Sequence, residues 1–156
     1  MKKFYLAVAT AGGIGYLPLA PGTWAAMVTA LGWYIMKQHF PSLFEGKNEL
    51  IILAIITGIG VWCSGRVEKE WGKDPSKVVI DEVAGMCISL LWIPLSVLYF
   101  LIALVLFRIF DIAKPFGIKK MEKIGGGWGI MMDDVLAGVY SLLILNCIIY
   151  LHHLVK

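Results

Sequence analysis

Apolar residues run through this chain in long stretches separated by short polar segments, and each stretch predicts a helix. Residues 22–38 (GTWAAMVTALGWYIMKQ) predict the first, with Pro21 suited to its entry. Residues 39–49 form a short polar loop, and residues 50–65 (LIILAIITGIGVWCSG) predict a second helix. The charged segment RVEKEWGKDPSKV continues that helix until it breaks at Asp74-Pro75. Residues 83–107 are apolar throughout but contain Pro94; residues 108–133 hold a basic, glycine-rich loop; residues 134–152 predict the last apolar helix. No internal repeat and no low-complexity tract interrupts the pattern.

Composition turns this pattern into a membrane expectation. The hydrophobic fraction is 59% and the charged fraction 16% over 156 residues, against about 45–50% and about 25% in soluble domains. A soluble domain of this size has too little interior to hide so much apolar surface. The expected class is an all-α, polytopic integral membrane helical bundle, one domain over residues 1–156. The net charge of +3 is modest, and the basic residues lie between apolar runs. That suits a membrane surface, and no basic-and-aromatic pattern points to nucleic acid. Cys63, Cys87 and Cys147 each lie in an apolar run without C-x-x-C spacing, and are expected as small buried hydrophobes. The first residues, MKKFYLAVATAGG, have the lysines and A-x-A of a signal peptide, but the apolar stretch is at the short limit and the next residues belong to a motif.

Charge decides whether residues 83–107 cross once or fold back. With Lys2 and Lys3 in the cytoplasm, a hairpin at Trp92-Ile93-Pro94 puts eleven of the 14 basic residues inside, leaving only Lys37, Lys47 and Lys156 outside. A single crossing divides them equally. The positive-inside rule therefore predicts a helical hairpin broken near Pro94. The hairpin also brings five carboxylates to one face of the membrane: Asp81 and Glu82, Asp111, and Asp133 and Asp134. These are five of only 11 acids in the chain. Acids beside hydrocarbon are costly unless paired, hydrated or bound to metal. Clustered oxygen ligands with basic partners point to a hard divalent cation and a phosphate.

Each motif has local logic. The adjacent acids in Asp81-Glu82-Val83-Ala84-Gly85-Met86 stand at a helix start, favoured by its dipole, and Gly85 one turn on permits close approach of another helix. Arg108, Asp111 and Lys114 follow i, i+3, i+6 spacing along one helix face until Pro115 ends it. There Asp111 suits a metal, and Arg108 and Lys114 suit phosphate. The glycines of Gly125-Gly126-Gly127-Trp128-Gly129 form a flexible approach to a helix whose backbone N–H groups suit phosphate oxygens, and Asp133 and Asp134 open that helix. Gly12-Gly13-Ile14-Gly15 is expected as a turning or close-packed segment rather than a nucleotide loop.

In order and spacing these stretches resemble the phosphatidylglycerophosphatase A family. The resemblance rests on Pro21-Gly22-Thr23, on the D-E-V-A-G-M element, on R-I-F-D-I-A-K-P from Arg108 to Pro115, and on G-G-W-G-I-M-M-D-D from Gly126 to Asp134, followed by Ala137-Gly138. It covers about residues 10 to 140. The family often has a second proline shortly after Lys-Pro, where this chain has Gly117. The resemblance implies hydrolysis of phosphatidylglycerol phosphate to phosphatidylglycerol and phosphate with Mg²⁺; the expected location is the inner (cytoplasmic) membrane, with the site on the cytoplasmic side by the charge distribution. Asp81, Glu82, Asp111, Asp133 and Asp134 are the expected catalytic and metal residues. Arg108, Lys114, Gly126, Gly127 and Thr23 are the expected phosphate contacts. General-base catalysis by Asp81 or Asp134 and nucleophilic attack by Asp111 or Asp81 both remain open. Competing readings are a phosphatase for another lipid phosphate and, in a different class, an ion-coupled transporter.

Overall fold

Proline and glycine set where the helices start and stop. The computed structural model describes residues 1–73 and 75–155. Helix α1 (Lys2–Ala9) leads into a 3-10 segment, Ala11–Tyr16, in which Gly12 and Gly13 take φ of 70° and 103°. Helix α2 (Pro21–His39) starts on its proline, as expected. Helix α3 (Asn48–Trp71) runs unbroken from the apolar stretch through the charged one and stops at Gly72, with φ 90°. The expected break at Asp74-Pro75 involves a residue, Asp74, outside the described ones.

Residues 83–107 do not form one helix. Helix α4 (Ile80–Ser89) and helix α5 (Val97–Ala113) are separated by a turn over residues 90–96. The fold-back expected near Pro94 is there. Helix α5 ends one residue earlier than its charge spacing implied. Lys114 has left the helix and takes a left-handed conformation, φ 44°, at its C-terminal cap, and Pro115, which has no N–H to donate, cannot continue the helix.

After the short helix α6 (Ile118–Met121), helix α7 (Gly126–Leu154) runs for 29 residues. This corrects the expectation of a loop up to residue 133. The glycines form the first turns of α7, and Asp133 and Asp134 lie two turns inside it instead of opening it. Packing explains the difference. A Cβ on Gly127 would collide with the Val61 carbonyl oxygen of α3, so the glycine lets α7 press against α3 from its first turn.

Helix α4 is the inner element. Residues 84–89 are all buried, and the helix packs against α2, α3, α5 and α7. Its crossing with α7 is made backbone on backbone. A Cβ on Gly85 would stand 2.6 Å from the Asp134 carbonyl oxygen, and one on Gly138 would strike the Gly85 carbonyl oxygen. Gly85→Ala is therefore expected to cost about 1–3 kcal/mol of stability through overpacking, read as a lowered unfolding temperature in detergent. Gly58→Ala, where a Cβ meets nothing within 4 Å, should be neutral or slightly stabilising.

The turn at 90–96 is held by two side chains that the sequence pattern puts in a loop and at a helix end. Glu49, with no exposed surface, accepts the Trp92 N–H at 2.6 Å; Lys37 donates to Glu49 at 2.8 Å and to the Ile93 carbonyl at 3.0 Å. Trp92 sits at φ 56°, a conformation that non-glycine residues rarely take.

The outside of the bundle is apolar. Leu31, Ile51, Leu101, Val105, Leu143 and Leu151 are among the large side chains left exposed, a surface that water does not tolerate at this extent. Helices α3 and α7 are each long and apolar enough to cross a membrane. Cys63 and Cys87 are buried as expected; Cys147 is exposed.

Candidate active site

Three distant stretches of chain meet at one end of the bundle. The start of α4 is set by the N-terminal segment: the Val79 N–H donates to the Ala9 carbonyl at 2.8 Å, and a Cβ on Gly15 would collide with the Lys77 carbonyl oxygen. This fixes Asp81 and Glu82 in the first turn of α4. The glycine crossing then brings Asp134 of α7 to the same level, and the end of α5 supplies Arg108 and Asp111. Together with Lys114 and Asp133 they line one cavity of about 270 Å³, with Ala20, Pro21 and Gly22 on one wall and Pro75, Ser76 and Val78 on another.

Within this cavity the five acids fall into two sets. Asp111 pairs with the Arg108 guanidinium, and Asp133 accepts from Lys114 at 2.6 Å. Glu82 lies 4.0 Å from Arg108, too far for a good hydrogen bond. The remaining three form their own cluster: one carboxylate oxygen each from Asp81, Glu82 and Asp134 lie within 4.8 Å of one another. Burial raises the Asp81 carboxyl well above the usual range, and the Glu82 charge pushes it the same way. Burial raises Glu82 as well, against the opposing effect of its hydrogen bond with Asp81.

Several buried polar atoms here have no hydrogen-bond partner among the described residues: Glu82 Oε2, Arg108 Nε and Asp133 Oδ1. Buried polar groups are normally satisfied. Three such atoms in one cavity mark a place built for something besides protein.

Gly22, visible in the sequence only as part of Pro21-Gly22-Thr23, shapes the cavity wall. A Cβ there would overlap Glu82 Oε1 and approach Arg108 to 3.1 Å. The glycine thus lets the Glu82 carboxylate rest on the first turn of α2, where helix N–H groups are unpaired and the dipole is positive. Its neighbour Thr23 does not line the cavity, nor do Gly126 and Gly127; Gly127 is buried against α3. Pro75 and Ser76 line the cavity, although in the sequence this segment signals only a helix break. Proline signals a break without indicating what the break faces.

Comparison with known proteins places the chain among the lipid phosphatases. The family model described as Phosphatidylglycerophosphatase A matches residues 7–149, and the chain belongs to that family. It is 39% identical to Phosphatidylglycerophosphatase A of Haemophilus influenzae over 142 residues, covering 88% of this chain and 84% of the relative. It is 35% identical to Phosphatidylglycerophosphatase A of Escherichia coli, covering 83% and 74%. A Bacteroides thetaiotaomicron protein bearing the name "Putative phosphatidylinositol-3-phosphatase" is 41% identical over 141 residues, covering 88% and 89%. No solved structure matches.

Proposed function

We propose that this protein hydrolyses the phosphomonoester of phosphatidylglycerol phosphate, giving phosphatidylglycerol and inorganic phosphate, with Mg²⁺ as its metal. The observation that carries this reading is the charge of the cavity, where five carboxylates face two cations. Two carboxylates within 4.8 Å repel by roughly 3–4 kcal/mol at an effective dielectric of ~20. A phosphate with nearly two negative charges would not enter such a place without a cation. The donor set fits a hard ion: every candidate ligand is a carboxylate oxygen, and Glu82 Oε2 is buried with no partner among the described residues. Asp81, Glu82 and Asp134 would hold the ion, which when bound would neutralise phosphoryl oxygens and sharpen the electrophile.

The chain's own groups do the rest. Arg108 offers a planar fork to two phosphoryl oxygens and Lys114 a point charge, so both stabilise the negative charge of the transition state. Asp111 and Asp133 hold these cations in place. Water attacks phosphorus in line, the bond from phosphorus to the lipid oxygen breaks, and the water proton passes to a carboxylate of the cluster. That carboxylate returns the proton to the lipid oxygen as its bond to phosphorus breaks, so the lipid leaves as an alcohol. Ion-coupled transport fits less well, because it calls for acids near the middle of the membrane, and Asp81, Glu82 and Asp111 stand at helix ends.

The apolar exterior supports a multi-pass protein of the inner membrane, and the distribution of lysine and arginine supports a cavity that faces the cytoplasm. Phosphate release from purified lipid phosphates tests the activity. Hydrolysis of phosphatidylglycerol phosphate is expected to exceed that of phosphatidic acid, to stop on chelation and to return with Mg²⁺. The name of the Bacteroides relative makes phosphatidylinositol 3-phosphate the second reading, and faster hydrolysis of that lipid would favour it. Activity indifferent to chelator would remove the metal from the mechanism.

A further inference from the structure

We propose that an open apolar groove between α2 and α5 holds an acyl chain of the lipid whose phosphate occupies the cavity. The groove has a volume of about 410 Å³ and no charged side chain in its lining. Trp24, Val28 and Leu31 form one wall, and Val97, Leu101 and Leu104 the other. Ala30, small and buried, leaves depth at the floor, which the Phe100 ring continues. Tyr34 stacks edge-on against Phe100 at 5.1 Å, towards the end away from the acids.

Helical register supplies the occupant. Val97, Leu101, Leu104, Arg108 and Asp111 follow 4-3-4-3 spacing and share one face of α5. Pro21, Trp24, Val28 and Leu31 do the same on α2 with 3-4-3 spacing. The groove and the phosphate cavity are therefore successive parts of one furrow. Its polar end is bounded by Pro21, Gly22, Arg108 and Asp111, and its apolar end by the six residues above. A molecule matching both ends is a phosphomonoester joined to a hydrocarbon chain. From Trp24 to Tyr34 the groove extends ~15 Å along α2, so it takes an extended chain rather than a compact apolar group. The inference rests on the lipid phosphatase reading and adds to it that substrate is recognised through its chain as well as its phosphate.

Two measurements on the full-length protein decide it. The first is photocrosslinking in detergent with a lipid phosphomonoester carrying a photoreactive group midway along one acyl chain. Crosslinks at Val28 and Leu101 are expected, suppressed by the same lipid without the photoreactive group but not by a phosphodiester lipid. Crosslinks spread over the outward faces of α3 and α7, or not suppressed by that competitor, would show ordinary surrounding lipid and overturn the proposal. The second uses Leu101→Trp and Val28→Trp, both at exposed positions. Each should lower kcat/KM for a long-chain substrate about tenfold, the equivalent of roughly two buried CH₂ groups, and leave a short-chain, water-soluble substrate within about twofold of wild type. An equal fall for both substrates, or none for either, would count against the groove. Wild-type protein that releases no phosphate from any lipid phosphomonoester would end the hydrolase reading, while the crosslinking pattern would still decide the groove.

Discussion

Asp134→Asn is expected to lower phosphate release about a hundredfold or more while leaving the helix content unchanged. Asparagine keeps the shape of the side chain and one carbonyl oxygen but removes a negative charge from the Asp81–Glu82–Asp134 cluster. Asp134 is 3% exposed and stands at the glycine crossing, so its carboxylate is held in place by the packing of α4 on α7. A second readout separates loss of metal from loss of fold. Mg²⁺ should raise the unfolding temperature of wild type, because it binds the folded state, and should do so much less in Asp134→Asn. Full activity in this variant would mean that the cluster is not the catalytic centre.

Lys37→Met is expected to destabilise the protein by about 3–5 kcal/mol, the cost of leaving a buried charge without its partner. Methionine fills most of the space of the lysine stem, so packing changes little. What is lost is the ammonium that contacts the Glu49 carboxylate and the Ile93 carbonyl. Glu49 then keeps only the Trp92 N–H. Thermal unfolding in detergent measures the effect, and Lys37→Met with Glu49→Gln should recover part of it, since no lone charge remains. A single variant as stable as wild type would show that the ion pair does not hold the turn.

The fold-back within residues 83–107 was legible because membrane topology leaves its mark on the distribution of lysine and arginine, and a proline stood where the chain had to turn. The acid pairs were legible because carboxylates are rare in an apolar chain and each must have a reason to be there. Other features were hidden for identifiable reasons. Glycines 125–129 read as a loop by propensity, yet at a helix contact the same lack of a side chain lets Gly127 lie on the Val61 carbonyl. Tertiary packing overrode local preference. The Lys37–Glu49 pair was invisible because its partners, Trp92 and Ile93, are bound through their backbones, which carry no sequence signal. The division of five acids into two ion-paired and three clustered depends on side-chain direction at the end of α5. Lys114 reaches Asp133 from a left-handed position just past the helix end.

The clamped turn has a consequence for the opposite end of the molecule. Helix α4 is a rod of ten residues, ~15 Å long. At one end the Ala9 carbonyl grips Val79, and just past the other Glu49 and Lys37 grip the turn. A rod restrained at both ends has little freedom to slide or rotate, so the Asp81–Glu82 doublet has a single resting depth. Such a cage needs little rearrangement to accept a ligand, so little of the binding free energy would be lost to reorganisation.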